Sequence, residues 1–293
     1  MEGQAVMSSR HAVVIPVYRT TLTTAERFSV QTTVSVMASH DIYLAGPASK
    51  RGQFDQLVDA RGAPLPYIAF ADQYFASIEG YNRLLLSRHF YQAFSRYGYV
   101  LISQTDALTL RDELDDWCAR GYSYIGAPWY VGYTKPVRPL RLMGVGNGGF
   151  SLRCVADFLR VLSRPRIFRN PLMAHWPGSW KSNVYRFLKD YHALVMPNRQ
   201  FNLKVNEDVF WGVFVPRQCS FFRVAPIDEA VAFAFEAHPD FLFERNGRRL
   251  PFGCHAWERY DRDFWLKVFA GLNLDVRPLR RAADSELPAT HAN

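Results

Sequence analysis

The chain has 293 residues, of which 48% are hydrophobic and 15% aromatic, enough for a sizeable core and too apolar for a disordered chain. A formal net charge of +8 favours anionic partners such as nucleotide phosphates or acidic glycans, and no nucleic-acid-binding motif accompanies it. Cys118, Cys154, Cys219 and Cys254 are scattered with no CxxC pair, which argues against a zinc module or a disulfide scaffold and suits a reducing compartment.

Residues 1–10 carry an early acid and no apolar core, so they predict a flexible N-terminus rather than a signal peptide. No stretch reaches the roughly 18 apolar residues of a membrane span. Both features point to a cytoplasmic protein. Residues 12–17 are apolar and largely β-branched, which predicts a buried first strand, with Pro16 where the chain leaves the sheet. Thr24 is placed to cap a helix that includes Glu26 and residues 28–37. Residues 41–45 read as a second strand ended by Gly46-Pro47, and this βαβ opening predicts a parallel sheet. Residues 67–70 suggest a third strand. Residues 79–97 predict one helix with Leu84, Leu85, Phe90, Phe94 and Tyr97 on a shared face. Asn82 and Arg83 lie near its start, where an arginine suits a bound anion or simply a neighbouring acid.

The central element is the apolar run 99–103, read as a strand buried on both faces and ending in Gln104-Thr105-Asp106. A carboxylate there stands where open α/β sheets bind ligands. It is either a turn former or a ligand for a cation that bridges nucleotide phosphates. Residues 111–120 predict a helix and 122–125 a short strand. Gly126-Ala127-Pro128-Trp129 reads as a turn whose tryptophan either packs in the core or offers its face to a sugar ring. A basic loop with Lys135, Arg138 and Arg141 follows. Residues 144–149, GVGNGG, are glycine-rich but lack both the dinucleotide and the P-loop spacing. Residues 151–162 carry helical periodicity.

Residues 163–202 are basic, proline-rich and aperiodic, which predicts a lid or acceptor-binding segment; His175 and His192 in it read as packing or surface residues. Glu207 and Asp208 begin an apolar run, and adjacent helical residues point about 100° apart, so one of them should face a cleft. Residues 221–224 suggest a strand, and 226–235 and 261–272 predict helices. A glycine turn at 251–257 presents His255 and Trp257. Beyond Leu274 the chain is polar, and residues 275–293 are expected to fray.

The motifs VVIPVY, QTDA, IGAPW, GNGGFSLR, NEDVFW and PFGCHAW occur in this order between Ala12 and Trp265. Together they closely resemble the family catalogued as domain of unknown function 5672, which is similar to GT-A-fold glycosyltransferases. The resemblance implies a single GT-A-like α/β/α domain over residues 11–274 with a mostly parallel central sheet. It implies a glycosyltransferase that moves a sugar from a nucleotide-sugar donor to a glycan or lipid-linked acceptor hydroxyl, in surface-polysaccharide assembly. Pro16, Val17 and Tyr18 would then hold the nucleobase and ribose, with Asn82 and Arg83 assisting the donor. Asp106 matches the last acid of the DxD motif, which binds Mn2+ or Mg2+ and the diphosphate, and Gln104 stands in place of its first acid. His255 matches a late histidine that completes the metal site in some of these enzymes. Gly148 and Gly149 match a small-residue turn beside the donor sugar. Glu207 and Asp208 match the xED motif of inverting enzymes, whose final acid acts as base. Trp129, Trp211 and Trp257 offer faces for acceptor sugars. Two further readings stay open: a nucleotidyltransferase, which shares the strand-end acids and the βαβ opening, and a nucleotide- or glycan-binding module without turnover. The basic, aromatic surface is compatible with peripheral attachment to an anionic membrane, where a lipid-linked acceptor would lie.

Overall fold

The computed structural model describes residues 10–132, 136–163 and 206–286. Four strands run parallel: β1 (His11–Pro16), β2 (Asp41–Pro47), β3 (Tyr67–Phe70) and β4 (Tyr99–Ser103). β5 (Ala107–Thr109) leaves this sheet; β6 (Tyr124–Gly126) returns to it. β7 (Pro128–Tyr130) and β8 (Leu142–Val145) form a separate antiparallel pair. β9 (Phe150–Cys154) is antiparallel to both β4 and β6, which completes a six-stranded sheet of order β3-β2-β1-β4-β9-β6. The class is α/β/α with a mostly parallel central sheet, as the βαβ opening predicts.

Successive residues of a strand point to opposite faces. Val13 and Ile15 of β1 therefore pack on one side with Leu101 of β4, while Val14 packs on the other with Val100 and Ile102. The first face is covered by α1 (Thr24–Val36), through Val30 and Val34, and by Leu114 and Trp117 of the helix α4 (Leu114–Ala119). The second is covered by α2 (Ile78–Leu85), α3 (Arg88–Ala93) and α5 (Val155–Leu162), through Leu84, Leu85, Phe90 and Phe158. Each such large side chain contributes about 1.5–3 kcal/mol on burial.

Local sequence explains where elements start and stop. The cap of α1 is Thr23, one residue before the expected Thr24. Its hydroxyl accepts from Glu26 N at 3.1 Å, and Glu26 Oε2 accepts from Thr23 N at 2.8 Å, a reciprocal capping box. The single helix expected over 79–97 is two, because Ser87 caps a second start by accepting from Phe90 N at 3.2 Å. Residues 151–154, read as helix, belong to β9. The apolar spacing there runs across a strand–helix junction, so one periodicity hid two elements. Past Leu274 the chain does not fray at once. It forms a helix, Arg277–Glu286, with Leu279 only 1% exposed. Apart from Ser163, the expected lid at 163–202, with His175 and His192, lies outside the described residues, as does Lys135.

A second, smaller sheet stands beside the carboxyl end of β4. β10 (Ala234–Phe235) is parallel to β11 (Gly253–His255), and β11 is antiparallel to β5. No helix among the described residues is long and apolar enough to cross a membrane.

Candidate functional site

A cleft of about 840 Å³ opens at the carboxyl ends of β1 and β4. Among its lining residues are Pro16, Tyr18, Arg19, Asn82, Gln104, Asp106, Trp129, Asn147, Asp208, Glu236, His255 and Arg259. These residues come from eight separate stretches, and sheet register brings several of them together. Ala107 pairs with His255 across β5 and β11, so Asp106 and His255 become neighbours. Phe235 pairs with Cys254 across β10 and β11, so Glu236 comes to the other side of the same imidazole. Gln104 N donates to Gly149 O at 2.8 Å, which ties the β4 exit to the glycine segment.

The histidine is flanked by two acids. Its Nε2 lies 3.4 Å from Asp106 Oδ1, and its Nδ1 lies 2.9 Å from Glu236 Oε1. Burial opposes charge on the ring, but Asp106 and Glu236 outweigh it and push His255 up to about 10. Burial likewise pushes the Asp106 carboxyl up, yet His255 beside it leaves the net position below the usual carboxylate value. The two glycines are sterically required. A Cβ at Gly149 would lie 2.0 Å from His255 Nε2, and one at Gly148 would lie 2.1 Å from Glu207 Oε1.

The two acids of the Glu207-Asp208 pair do face differently. Glu207 is 2% exposed, and both its oxygens are held by Arg153, Nη1 to Oε2 at 3.0 Å and Nη2 to Oε1 at 2.8 Å. Arg153 is itself fully buried and also donates to Tyr91 Oη at 2.9 Å and Ser151 Oγ at 3.0 Å. Burial pushes Glu207 up to about 7 against the pull of Arg153. With both oxygens engaged, Glu207 anchors the segment. Asp208 is partly buried in the cleft, where Oδ1 accepts from Val209 N at 2.8 Å and Oδ2 from Asn147 N at 3.2 Å. Burial raises its carboxyl above the ordinary value, against these two backbone donors. Asn147 adopts φ +74°, a left-handed conformation that asparagine tolerates, and this turns its N–H toward Asp208. Its own Nδ2 is buried with no hydrogen-bond partner, a free donor in the wall of the cleft.

Of the residues expected from sequence, Pro16, Tyr18, Asn82, Gln104, Asp106, Trp129, Gly148, Gly149, Asp208 and His255 line this cleft. Four expectations are corrected. Val17 is fully buried in the core, because it alternates with Pro16 and Tyr18 along an extended segment. Arg83 does not line the cleft and pairs with Glu79 one helical turn away at 3.0 Å. Trp211 is fully buried and donates to Leu85 O at 3.2 Å. Trp257 is fully buried and donates to Ser29 Oγ at 2.8 Å. Neither tryptophan can meet an acceptor. Asn147 and Arg153 lie within the GNGGFSLR motif and Arg19, Arg259 and Glu236 within none of the quoted motifs, and none of the five was singled out from sequence.

The resemblance implies a divalent cation, and the donor chemistry fits one. A carboxylate and a buried imidazole nitrogen with no hydrogen-bond partner stand together in the cleft. Among the described residues no group of three or more His, Cys, Asp or Glu side chains is arranged to hold a metal. A cation there would have at most these two protein donors and would need its other ligands from outside the chain. A second cavity of about 850 Å³ shares no lining residue with the cleft; most of its arginines pair with its own acids, Arg111 with Glu113, Arg120 with Glu229 and Arg245 with Asp228.

Fold and cleft define an α/β/α protein with an acid- and histidine-lined ligand site at the strand ends. Residues 65–255 match the family described as Protein of unknown function (DUF5672), and the chain belongs to that family. No curated protein matches it. Among solved structures it is similar to the apo form of mouse xyloside xylosyltransferase 1, at 10% identity, covering 84% of this chain and 97% of that one, with a TM-score of 0.45. It is similar to the galactosyltransferase LgtC in complex with donor and acceptor sugar analogs, at 13% identity, covering 83% and 86%, with a TM-score of 0.43. It is also similar to the apo-form glycosyltransferase GlyE of Streptococcus pneumoniae TIGR4, at 13% identity, covering 85% and 54%, with a TM-score of 0.40. Likeness at this level carries no residue role across to this chain.

Proposed function

We propose that this protein is a glycosyltransferase that moves a sugar from a nucleotide-sugar donor to an acceptor hydroxyl with inversion at the anomeric carbon. The observation that carries this reading is the convergence of Asp106, His255 and Asp208 in one cleft at the carboxyl end of the parallel sheet. Such a transfer needs a base on the acceptor side and positive charge on the leaving side. Asp208 supplies the base. Its raised carboxyl takes the proton of the acceptor hydroxyl as that oxygen attacks the anomeric carbon. The bond from the anomeric carbon to the phosphate oxygen breaks, and the nucleoside diphosphate leaves with the electron pair.

Arg19 and Arg259 line the cleft and hold the phosphates, the role the sequence suggests for Arg83. Arg19 is steadied by Glu26, whose carboxylate also accepts from Thr105 Oγ1 at 3.1 Å. Asp106 and His255 would hold Mn2+ or Mg2+, which when bound supplies further positive charge to the departing diphosphate. Pro16 and Tyr18 border the nucleoside. Asn147 Nδ2 offers a donor to a sugar hydroxyl. Trp129, half-buried at the wall of the cleft, remains as the aromatic face for an acceptor glycan or lipid-linked glycan.

The test is Asp208→Asn. It removes the base and keeps an acceptor oxygen for one of the two backbone donors, Val209 N or Asn147 N. Transfer should fall about 10²–10⁴-fold with donor affinity preserved. Full activity in Asp208→Asn would remove the base assignment. Release of pyrophosphate from a nucleoside triphosphate and a sugar 1-phosphate, with no nucleoside diphosphate released from nucleotide sugars, would make the protein a nucleotidyltransferase.

A further inference from the structure

His255 lines the cleft with three neighbours packed around its ring. Glu236 Oε1 meets Nδ1 at 2.9 Å. Asp106 Oδ1 stands 3.4 Å from Nε2, which is buried and makes no hydrogen bond. Gly149 packs beside the ring, where any side chain would collide with it, since a Cβ there would lie 2.0 Å from Nε2. Backbone pairing fixes all three neighbours. β10 beside β11 sets Glu236, β5 beside β11 sets Asp106, and the bond from Gln104 N to Gly149 O sets the glycine.

Which nitrogen of a neutral imidazole carries the hydrogen is decided by the bond the other one makes. A carboxylate only accepts, so Nδ1 donates to Glu236, and a cation that takes the place of the other ring proton finds the lone pair on Nε2, beside Asp106. We infer that Glu236 is a positioning residue that holds His255 in its Nδ1–H form, so that Nε2 and Asp106 make a two-donor seat for a divalent cation shared with a diphosphate. This rests on the donor reading above and deepens it. An acid behind a ligating histidine fixes the ring and raises its basicity, and losing that acid typically weakens metal binding 10–100-fold. Glu236 lies 19 residues before His255 with no motif between them, so only the sheet register reveals the pair.

The test is a titration of free Mn2+ followed by electron paramagnetic resonance on the full chain, alone and with saturating UDP, GDP, ADP or dTDP in turn. Wild type, Glu236→Leu, Glu236→Gln and His255→Gln are compared, with histidine ¹⁵N shifts read on parallel samples that are metal-free or hold diamagnetic Mg2+. Glu236→Leu should weaken Mn2+ binding 10–100-fold while metal-free nucleotide affinity stays unchanged. Glu236→Gln, which keeps an acceptor oxygen, should fall between, and the ¹⁵N shifts should report a doubly protonated ring in metal-free wild type that becomes Nδ1–H with Mg2+ and nucleotide, a change that Glu236→Leu needs more Mg2+ to reach. The inference is overturned if His255→Gln abolishes Mn2+ binding while Glu236→Leu binds within twofold of wild type. If wild type binds no Mn2+ with any nucleotide, the cation reading fails and the inference with it.

Discussion

Replacing Arg153 by methionine tests the buried anchor under Asp208. Arg153 is fully buried and makes four hydrogen bonds, two to Glu207 and one each to Tyr91 and Ser151. Methionine fills much of the volume but leaves the Glu207 carboxylate, 2% exposed, without a counter-charge. Breaking one side of a buried pair costs about 3–5 kcal/mol. At about 2–4 °C per kcal/mol for a domain of this size, the melting temperature should drop by roughly 6–20 °C. Replacing both partners, Arg153→Met with Glu207→Met, should recover most of the loss, since apolar groups in place of a whole buried pair are often neutral or better. The loss in Arg153→Met should also shrink as pH falls, because a protonated Glu207 needs no partner. Urea unfolding followed by tryptophan fluorescence at pH 5 and pH 8 measures all three. A loss under about 1 kcal/mol, or a double variant no better than the single one, would refute the reasoning.

Further outcomes follow from the same site. Glu207 sits at about 7 in the folded chain against 4.5 in the unfolded one. The folded state therefore binds more protons between these values, and the contribution of Glu207 to stability falls as pH rises through that window. In Glu207→Gln, the slope of the urea midpoint between pH 4.5 and pH 7 should be flatter than in wild type. Trp211→Ala should cost about 3–5 kcal/mol of stability, as a core deletion does, with the KM for acceptor unchanged in the surviving folded protein. Trp129→Ala should do the reverse, raising acceptor KM with a smaller change in melting temperature.

Much of the fold is legible in the sequence, for identifiable reasons. β1, β2 and β4 are short apolar runs bounded by turn residues, and nothing competes with that reading. β9 is hidden because its apolar residues continue into α5 with spacing that suits a helix. In the site, Asp106, His255 and Asp208 are legible as acids or a histidine next to turns in a recognisable order. Glu236, Arg153 and Asn147 are not, because each acquires its role from a partner brought by sheet register or by a left-handed turn. Tryptophan type alone does not separate Trp129 from Trp211 and Trp257, since an indole serves a core and a sugar face equally well. Arg83 follows the second of its two sequence readings, a neighbouring acid, with Glu79 four residues earlier as its helical partner.

The central claim is that the cleft holds a nucleotide sugar. The most direct measurement is incubation of the full chain with a panel of nucleotide sugars and Mn2+, with the released nucleotide identified by mass spectrometry. The account predicts release of one nucleoside diphosphate, together with sugar on water or acceptor, and loss of that release in Asp208→Asn. No nucleotide released from any sugar of the panel, or release that persists undiminished in Asp208→Asn, would contradict it.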